Sequence, residues 1–260
     1  MKAPAFGYAK PASLAEALNL LARPGAKVLA GGQSLIPSLN LRLSSPELLI
    51  DISGLSSLGK IQIEKDLVRI GALVTHAQIE KSAAIRTHLP LLAEAAPHIA
   101  HAAIRNRGTL GGSLALADPA AEYPACAVAL NAAIVVQGMA GERKIPAEKF
   151  FKGLFETDLK PGEILVAAEF PRQSGKHAFL ELTRRHGDYA IVGLAAQEGM
   201  FVFFGVGSTP IVLKGFSAKE KARNHLDKNL NPSPDLYHSS ATKRHLAGVL
   251  LERAWNTLST

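Results

Sequence analysis

Two glycine pairs stand out because a serine closely follows each of them. Gly31-Gly32 precedes Gln33 and Ser34, and Gly111-Gly112 precedes Ser113. A glycine pair removes two Cβ atoms, so the main chain can approach a bulky ligand and present its N–H groups to it. One pair alone indicates an ordinary tight turn, because short glycine motifs often occur by chance. Two pairs with similar hydroxyl neighbours favour two walls of one site for a phosphate-bearing ligand.

Further polar groups surround the second pair. Thr109 precedes it, and Asp118 and Glu122 follow it. A hydroxyl can donate a hydrogen bond, and a carboxylate can accept one from a sugar hydroxyl. The stretch 100–122 is therefore interpreted as a charged turn, a glycine loop and an acidic segment that contact one ligand.

Three other motifs lack residues that the corresponding functional sites need. Gly205-Val-Gly207 resembles the start of a dinucleotide fingerprint, but Pro210 stands where a glycine is needed, which favours a hairpin turn. The stretch 32–36 lacks the last glycine of a nucleophile elbow, so a serine hydrolase is a weak alternative. His98 and His101 have no acid or cysteine partner nearby in sequence, and we interpret them as helix-end residues bonded to the main chain rather than as metal ligands.

Composition excludes several classes of function. The net charge is +7, but the basic residues are scattered and no nucleic-acid motif is present. No apolar run reaches the ~20 residues of a membrane span, and residues 1–8 lack the apolar core of a signal peptide. The single cysteine, Cys126, excludes an internal disulfide and a four-cysteine iron–sulfur cluster in this chain. Its apolar neighbours predict a buried thiol, and we expect a cytoplasmic location.

Residues 1 to about 55 are predicted to form a small α/β unit. Ser13 and Glu16 match a capping box at the start of a helix. A strand runs into the first glycine pair and a helix follows it, with Pro37 in its first turn, an order that aims N–H groups at an anion. The predicted elements are a helix over 13–23, a strand over 27–30, a helix over 34–43 and a strand over 48–52.

A second unit extends to about residue 173. Thr75 and Gln78 match another capping box, and apolar alternation on both sides of a polar turn predicts a hairpin. Pro171 ends the clearest strand of this unit. The predicted elements are strands over 61–63, 67–72, 133–137 and 162–170, and helices over 75–81, 90–95, 121–130 and 149–154.

The last part of the chain changes character. Four strand-like segments precede two helices, which predicts an α+β unit with an antiparallel sheet. The predicted elements are strands over 178–185, 190–197, 200–205 and 210–214, and helices over 218–226 and 240–258.

These motifs resemble the FAD-binding medium subunits of the molybdenum hydroxylases, of the carbon monoxide dehydrogenase and xanthine dehydrogenase type. The resemblance covers nearly the whole chain. It implies an α+β fold: a two-lobed α/β FAD-binding domain over 1–173, with sub-lobes of about 1–55 and 56–173, and a smaller α+β domain over 174–260. It depends mainly on the stretches 30–37, 104–115 and 118–122, with support from 71–79, 161–165 and 184–190.

The resemblance also implies which residues hold FAD. The Gly31-Gly32 pair and its neighbours would form one wall of the FAD site, and the Gly111-Gly112 pair and its neighbours would form the other. Glu122 corresponds to an acid that contacts the ribityl chain, and Tyr189 to a position near the flavin ring, although a half-buried tyrosine in a sheet is an equally good interpretation. The fifteen implied cofactor-binding residues are Ala30, Gly31, Gly32, Gln33, Ser34, Leu35, Thr109, Gly111, Gly112, Ser113, Asp118, Glu122, Ile164, Leu165 and Tyr189.

The implied function is electron transfer within a heterotrimeric oxidoreductase. A flavin accepts electrons singly and passes on a pair. By resemblance, [2Fe-2S] clusters lie on a small partner subunit and the molybdenum cofactor on a large one, and the electrons go on to an external acceptor. The stretch 197–204 is shorter than the family pattern, which bears on the docking of partner subunits. Alternatives are a flavin-free scaffold or interaction subunit of the same fold and a stand-alone NAD(P)H-linked flavin oxidoreductase.

Overall fold

The first part of the chain forms a parallel sheet flanked by helices. The computed structural model describes residues 2–259. The three strands lie in the order β1-β3-β2, and both strand pairs are parallel. The Ser13 hydroxyl accepts from the Glu16 N–H, as its predicted cap requires. The elements are β1 (Gly7–Ala9), α1 (Leu14–Leu21), β2 (Ala26–Leu29), α2 (Leu35–Asn40) and β3 (Leu48–Asp51).

Helix α2 is shorter than predicted. Arg42 has a φ of 57°, a left-handed conformation that a helix cannot continue through. The Leu43 N–H then reaches back to the Ser38 carbonyl at 2.9 Å and closes the last turn. The sequence offers no glycine or proline at this point, so the end of the helix is set by the surroundings.

The second part of the chain contains a five-stranded antiparallel sheet in the order β4-β5-β10-β6-β7. The predicted hairpin and the Thr75–Gln78 capping box are both present. The elements are β4 (Ile61–Ile63), β5 (Leu67–Gly71), α3 (His76–Lys81), α4 (Ala83–His88), α5 (Pro90–Ala95), α6 (Ala102–Arg105), α7 (Leu110–Leu116), α8 (Glu122–Ala129), β6 (Ala133–Gly138), β7 (Gly141–Pro146), α9 (Ala147–Phe150), β8 (Phe151–Gly153), β9 (Glu156–Thr157) and β10 (Ile164–Pro171).

Three expectations for this part were wrong. The stretch 100–122 is not one loop, because it holds two short helices, α6 and α7. The predicted helix over 149–154 is displaced: α9 ends at Phe150, and the chain then turns into β8, which pairs with β9. Strand β7 was not predicted, since its sequence is largely charged and it lies at the edge of the sheet, where water satisfies such side chains.

The last part of the chain is a four-stranded antiparallel sheet, as predicted, and its strands lie in the order β11-β12-β13-β14. Two helices pack on one of its faces. The stretch 197–204, which is shorter than the family pattern, holds the last residue of β12, a two-residue turn at Glu198 and Gly199, both with positive φ, and strand β13. The elements are β11 (His177–Leu182), β12 (Val192–Gln197), β13 (Met200–Phe204), β14 (Ile211–Leu213), α10 (Lys219–Asn229) and α11 (Ser240–Ser259).

Strand β10 and the C-terminal sheet join these parts. A β-bulge between Leu165 and Ala167 shifts the alternation of the β10 side chains between the two faces of the sheet. Ile164 and Val166 pack against the first lobe, while Leu165 and residues later in the strand pack in the central core. Phe179 and Phe204 of the C-terminal sheet belong to that central core as well. The α+β fold class is therefore confirmed, whereas a domain boundary at residue 173 stays a prediction.

No helix within residues 2–259 has the length and the apolar character needed to cross a membrane.

Gly193→Ala should destabilise the C-terminal sheet. Gly193 lies opposite Phe204, and a Cβ atom at Gly193 would overlap the buried Phe204 ring. We expect the free energy of unfolding in urea to fall by about 2 kcal/mol, because overpacking forces neighbouring side chains from their rotamers. Gly59→Ala is the matched control, since its Cβ would be 3.6 Å from its nearest neighbour. Equal stability of the two variants would contradict this packing.

Candidate functional site

The candidate site is a cavity of about 540 Å³ between the first glycine segment, helix α7 and the loop 183–191. It extends from the first lobe to the start of β10. All fifteen residues predicted to bind a cofactor line this one cavity, although they come from six separate stretches of chain. The fold therefore brings the predicted residues together.

The first glycine segment supplies unused backbone donors. Gly32 follows strand β2 with a φ of +73°, a conformation that favours glycine. Within the described part of the chain, the backbone N–H groups of Gly32, Gln33 and Ser34 have no acceptor. The Gln33 side-chain amide donates to the Gly31 carbonyl at 3.1 Å, which braces the turn. Three free N–H groups at a cavity wall are suited to an anionic group such as a phosphate.

The second glycine pair has a different role from the one predicted. The Gly111 N–H donates to the Ala72 carbonyl at 2.9 Å, and the Gly112 N–H donates to the Thr109 hydroxyl at 3.0 Å. The prediction that these N–H groups face a ligand is wrong, because both are used within the protein. Gly111 instead permits close packing: its Cβ would lie 2.5 Å from the Ala72 Cβ. The Thr109 hydroxyl caps helix α7 and can still donate its own hydrogen.

The two glycine segments meet directly. A Cβ atom on Gly31 would overlap the carbonyl oxygen of Arg107 and would lie 3.0 Å from the Gly108 Cα. Gly108 is fixed in turn by the hydrogen bond from the His76 N–H to its carbonyl, at 3.0 Å. The distance between the cavity walls at this end is therefore set by backbone contact.

The two acids of the site lie in a poorly solvated environment. The Asp118 Oδ1 accepts from the Ala120 N–H at 2.9 Å, and burial raises the pKa of Asp118. Glu122 begins helix α8 and is 8% exposed. Burial, and then the neighbouring Glu181 carboxylate, raise the pKa of Glu122 to about 8. At neutral pH the Glu122 carboxyl is therefore mostly protonated, so it can donate a hydrogen bond as well as accept one.

The far wall of the cavity is apolar. Ile164 and Leu165 start strand β10 and are 2% and 5% exposed. Tyr189 lies in the loop between β11 and β12, with 75% of its surface exposed at the mouth of the cavity. The alternative interpretation of Tyr189 as a half-buried residue of a sheet is wrong.

A second set of lining residues was missed by the sequence interpretation. It includes the segment 99–101. Arg105 fixes this segment through hydrogen bonds, since its Nη1 donates to the Ala100 carbonyl at 3.0 Å and to the Ile99 carbonyl at 3.2 Å. Arg105 also pairs with Glu80, Nε to Oε2, at 2.9 Å. An isolated arginine carries no signal in the sequence that it will bond several carbonyls.

His76 was also missed. It lines the cavity, is 5% exposed, and its Nδ1 has no partner within the described residues. Burial, and then the positive charge of Arg105, lower the pKa of His76 to about 4, so the ring is neutral at neutral pH.

The surroundings of His98 differ from those predicted from the sequence. No group of three His, Cys, Asp or Glu side chains suited to a metal occurs among residues 2–259. The expectation that His98 bonds to the main chain is wrong, since its Nδ1 lies 3.4 Å from the Glu181 Oε2. Cys126 is buried, as predicted.

These features together fit the FAD implied by the sequence. The cavity offers free N–H donors at one end, hydroxyl and carboxyl groups along its length, and an apolar wall at the other end. Those chemistries correspond to a diphosphate, a hydroxylated chain and an aromatic ring. A Cβ at Gly31 would move the two walls apart, and a larger residue at Gly112 would fill the cavity.

Comparison with a family model identifies the first two thirds of the chain. Residues 4–173 match the FAD binding domain in molybdopterin dehydrogenase. Among curated proteins, subunit alpha of the 6-hydroxypseudooxynicotine dehydrogenase complex of Paenarthrobacter nicotinovorans is 48% identical over 201 residues, covering 75% of this chain and 68% of that one. The carbon monoxide dehydrogenase medium chain of Afipia carboxidovorans is 33% identical and covers 96% of this chain and 95% of its own length.

Solved structures match along the whole chain. Carbon monoxide dehydrogenase from Hydrogenophaga pseudoflava, in a form that lacks the Mo-pyranopterin moiety, matches with a TM-score of 0.93 and 34% identity. Quinoline 2-oxidoreductase from Pseudomonas putida 86 matches with a TM-score of 0.93 and 35% identity. Each match covers 100% of this chain and 99% of the other.

Glu122→Gln should remove a pH dependence from stability. The folded protein holds the Glu122 proton up to a pKa of about 8, whereas the pKa of an ordinary glutamate is 4.5. Between these pH values the unfolded chain loses its proton first, so the free energy of unfolding falls as the pH rises, by an amount on the order of 3 kcal/mol. In urea titrations from pH 4.5 to 8, we expect the free energy of unfolding of Glu122→Gln to fall less with rising pH than that of the wild type, because this contribution is missing. The exposed Glu64→Gln is the control, and a wild-type-like slope for Glu122→Gln would refute the assignment.

Proposed function

The chain belongs to the FAD-binding medium subunits of the molybdenum hydroxylases, and we propose on that premise that the cavity between its two glycine segments holds FAD. The protein is an FAD-binding oxidoreductase subunit whose relatives are medium subunits of multi-subunit complexes. The main support for this site is that all fifteen residues predicted from the sequence to bind FAD line one cavity of about 540 Å³.

The proposed contacts follow the chemistry of the cavity walls. The free N–H groups of Gly32, Gln33 and Ser34 bind the diphosphate. The hydroxyls of Thr109 and Ser113 add donors from the facing wall. Because these groups are already positioned by α2, α7 and the contact of Gly31 with Arg107, little main-chain ordering is left for the binding step.

The other end of the cavity receives the sugar-like chain and the ring. Asp118 and Glu122 hydrogen-bond the hydroxyls, with the protonated Glu122 as a donor. Ile164 and Leu165 pack against the ring and exclude water from one side, and Tyr189 lies at the mouth. Ala30 and Leu35 complete the wall beside the first glycine pair.

Bound FAD supplies the capacity to accept electrons singly and to release them as a pair. The chain's own residues bind the cofactor, orient it and shield one side of it. Its one cysteine, Cys126, is buried, and burial raises the pKa of its thiol, so it is not suited to ligate an iron–sulfur cluster.

The partners are proposed from the family to which the chain belongs. A small subunit carries the [2Fe-2S] clusters that deliver electrons, and a large subunit carries the molybdenum cofactor where substrate is oxidised. We further propose a cytoplasmic location, because a protein with a single buried thiol has no need of an oxidising compartment.

Gly112→Val should abolish retention of FAD. A valine at this position fills the cavity beside the Thr109 hydroxyl, which lies 3.0 Å from the Cβ position. We expect FAD binding, followed by quenching of flavin fluorescence, to weaken by at least about 100-fold, because the diphosphate can no longer reach the wall. Gly59→Val, outside the cavity, is the matched control. Near-normal FAD content in a folded Gly112→Val protein would count against the site.

The purified protein should be yellow and should release FAD on denaturation. Tagged protein co-expressed with the proposed small and large subunits should also contain iron and molybdenum in metal analysis, whereas the isolated chain should contain neither. A folded, colourless chain that does not bind added FAD would overturn the proposed function and favour a flavin-free scaffold. Rapid reduction of the isolated flavoprotein by NADH would instead favour a stand-alone flavin oxidoreductase.

A further inference from the structure

His76 is a buried residue of the cavity wall whose ring nitrogens are not paired within the protein. The residue is 5% exposed and lines the cavity. Its Nδ1 is enclosed and has no hydrogen-bond partner among residues 2–259. Buried polar side chains are almost always hydrogen-bonded, so this ring needs an explanation. The candidate partner is a ligand that meets the other nitrogen, Nε2.

Backbone hydrogen bonds hold His76 beside the second glycine segment. The His76 N–H donates to the Gly108 carbonyl at 3.0 Å, and the Leu110 N–H donates to the Val74 carbonyl at 2.9 Å. The Gly108 Cα in turn lies 3.0 Å from the position that a Cβ of Gly31 would take. His76 is therefore fixed near the end of the cavity where the two glycine segments meet.

The edge of the ring that carries Nε2 packs against Gly108. A Cβ atom at Gly108 would lie 2.8 Å from the His76 Cδ2 and 2.9 Å from its Nε2, so the glycine leaves room for this edge. Within the described part of the chain Nε2 forms no hydrogen bond, but unlike Nδ1 it is not enclosed. Because His76, Gly108 and Thr109 all line the cavity, Nε2 is the ring nitrogen that a ligand there can reach.

The surroundings favour a proton on Nε2. A proton on Nδ1 would bury an N–H group without an acceptor, and such orphaned donors are rare in folded proteins. A proton on Nε2 leaves Nδ1 as an unprotonated nitrogen and directs an N–H group into the cavity. The ring is neutral at neutral pH, because burial and then the charge of Arg105 lower its pKa to about 4.

The titratable groups around the ring do not compete for this N–H. Glu80 pairs with Arg105, Nε to Oε2, at 2.9 Å. The Tyr123 ring lies against the His76 ring with centroids 5.2 Å apart, and its buried hydroxyl has no partner among the described residues. Burial raises the pKa of Tyr123 well above its usual value, so this hydroxyl stays neutral.

We propose that the His76 Nε2–H donates a hydrogen bond to an oxygen of the flavin diphosphate, which makes His76 a further cofactor-binding residue. This role rests on the proposed FAD site. The phosphates are the part of the cofactor assigned to the end where the glycine segments meet. A neutral N–H beside a phosphate forms a strong hydrogen bond, because the acceptor is charged.

The first test is flavin binding to the full-length chain at pH 7.5, measured by flavin fluorescence. His76→Phe keeps a ring of similar size and lacks the donor, so FAD affinity should fall about tenfold or more. His76→Gln, whose amide carries an N–H at a similar reach, should lose less affinity than His76→Phe. Affinity for riboflavin, which has no phosphate, should be the same in wild type and His76→Phe.

Tyr123→Phe is the matched control. It removes the unpartnered hydroxyl from the residue that packs on the same ring, and Tyr123 does not line the cavity. Its FAD affinity should equal that of the wild type. An equal loss in Tyr123→Phe and His76→Phe would mean that ring packing rather than the donor matters, and an equal loss for riboflavin would exclude a phosphate contact.

Nitrogen-15 NMR of histidine side chains gives a measurement on the cofactor-free chain. The His76 signal, identified by its absence in His76→Phe, should show a neutral ring with its proton on Nε2 from pH 5.5 to 8.5. Inorganic pyrophosphate or FAD should shift the Nε2 signal. If FAD does not bind but pyrophosphate shifts this signal, the proposed function fails while the role of His76 as a phosphate donor stands. If FAD binds wild type and His76→Phe equally, or the proton is on Nδ1, the role of His76 is wrong.

Discussion

The contact between the backbone at Gly31 and the carbonyl of Arg107 determines the geometry of the site. A Cβ atom on Gly31 would overlap the Arg107 carbonyl, so at this point the first lobe and the segment before α7 touch through their main chains. Backbone atoms held by hydrogen bonds move less than side chains that change rotamer. The cavity walls at this end are therefore fixed before any ligand arrives, which favours binding of a long cofactor along both lobes.

The two glycine pairs look alike in sequence and act differently in the fold. The first leaves its N–H groups free at the cavity, whereas the second directs its N–H groups into the protein and permits α7 to pack on Ala72. Gly32 has a φ of +73°, and its N–H and the next two N–H groups have no acceptor within the described part of the chain. The first segment is the one that we propose binds an anion, and the second is a close-packed segment that positions Thr109 and Ser113.

The C-terminal sheet is part of the site rather than an appendage. One face of this sheet contributes Phe179 and Phe204 to the central core. The loop after β11 brings Tyr189 to the mouth of the cavity. The same strand carries Glu181, whose side chain is 1% exposed. Burial, and then Glu181, raise the pKa of Glu122, although the two acids are far apart in the sequence.

The sequence by itself determined the identity of most elements and indicated fifteen of the residues that line the cavity, but not His76 or the segment 99–101. Caps at Ser13 and Thr75, the apolar run of β10 and the glycine pairs are local signals, which depend on near neighbours in the chain. Only the tertiary structure decided that Glu122 is protonated at neutral pH, that the Gly111 N–H is already bonded and that Tyr189 is exposed. Burial, the pKa of a carboxyl and the partner of a backbone N–H all depend on groups distant in sequence, and no local pattern records which distant groups the fold brings near.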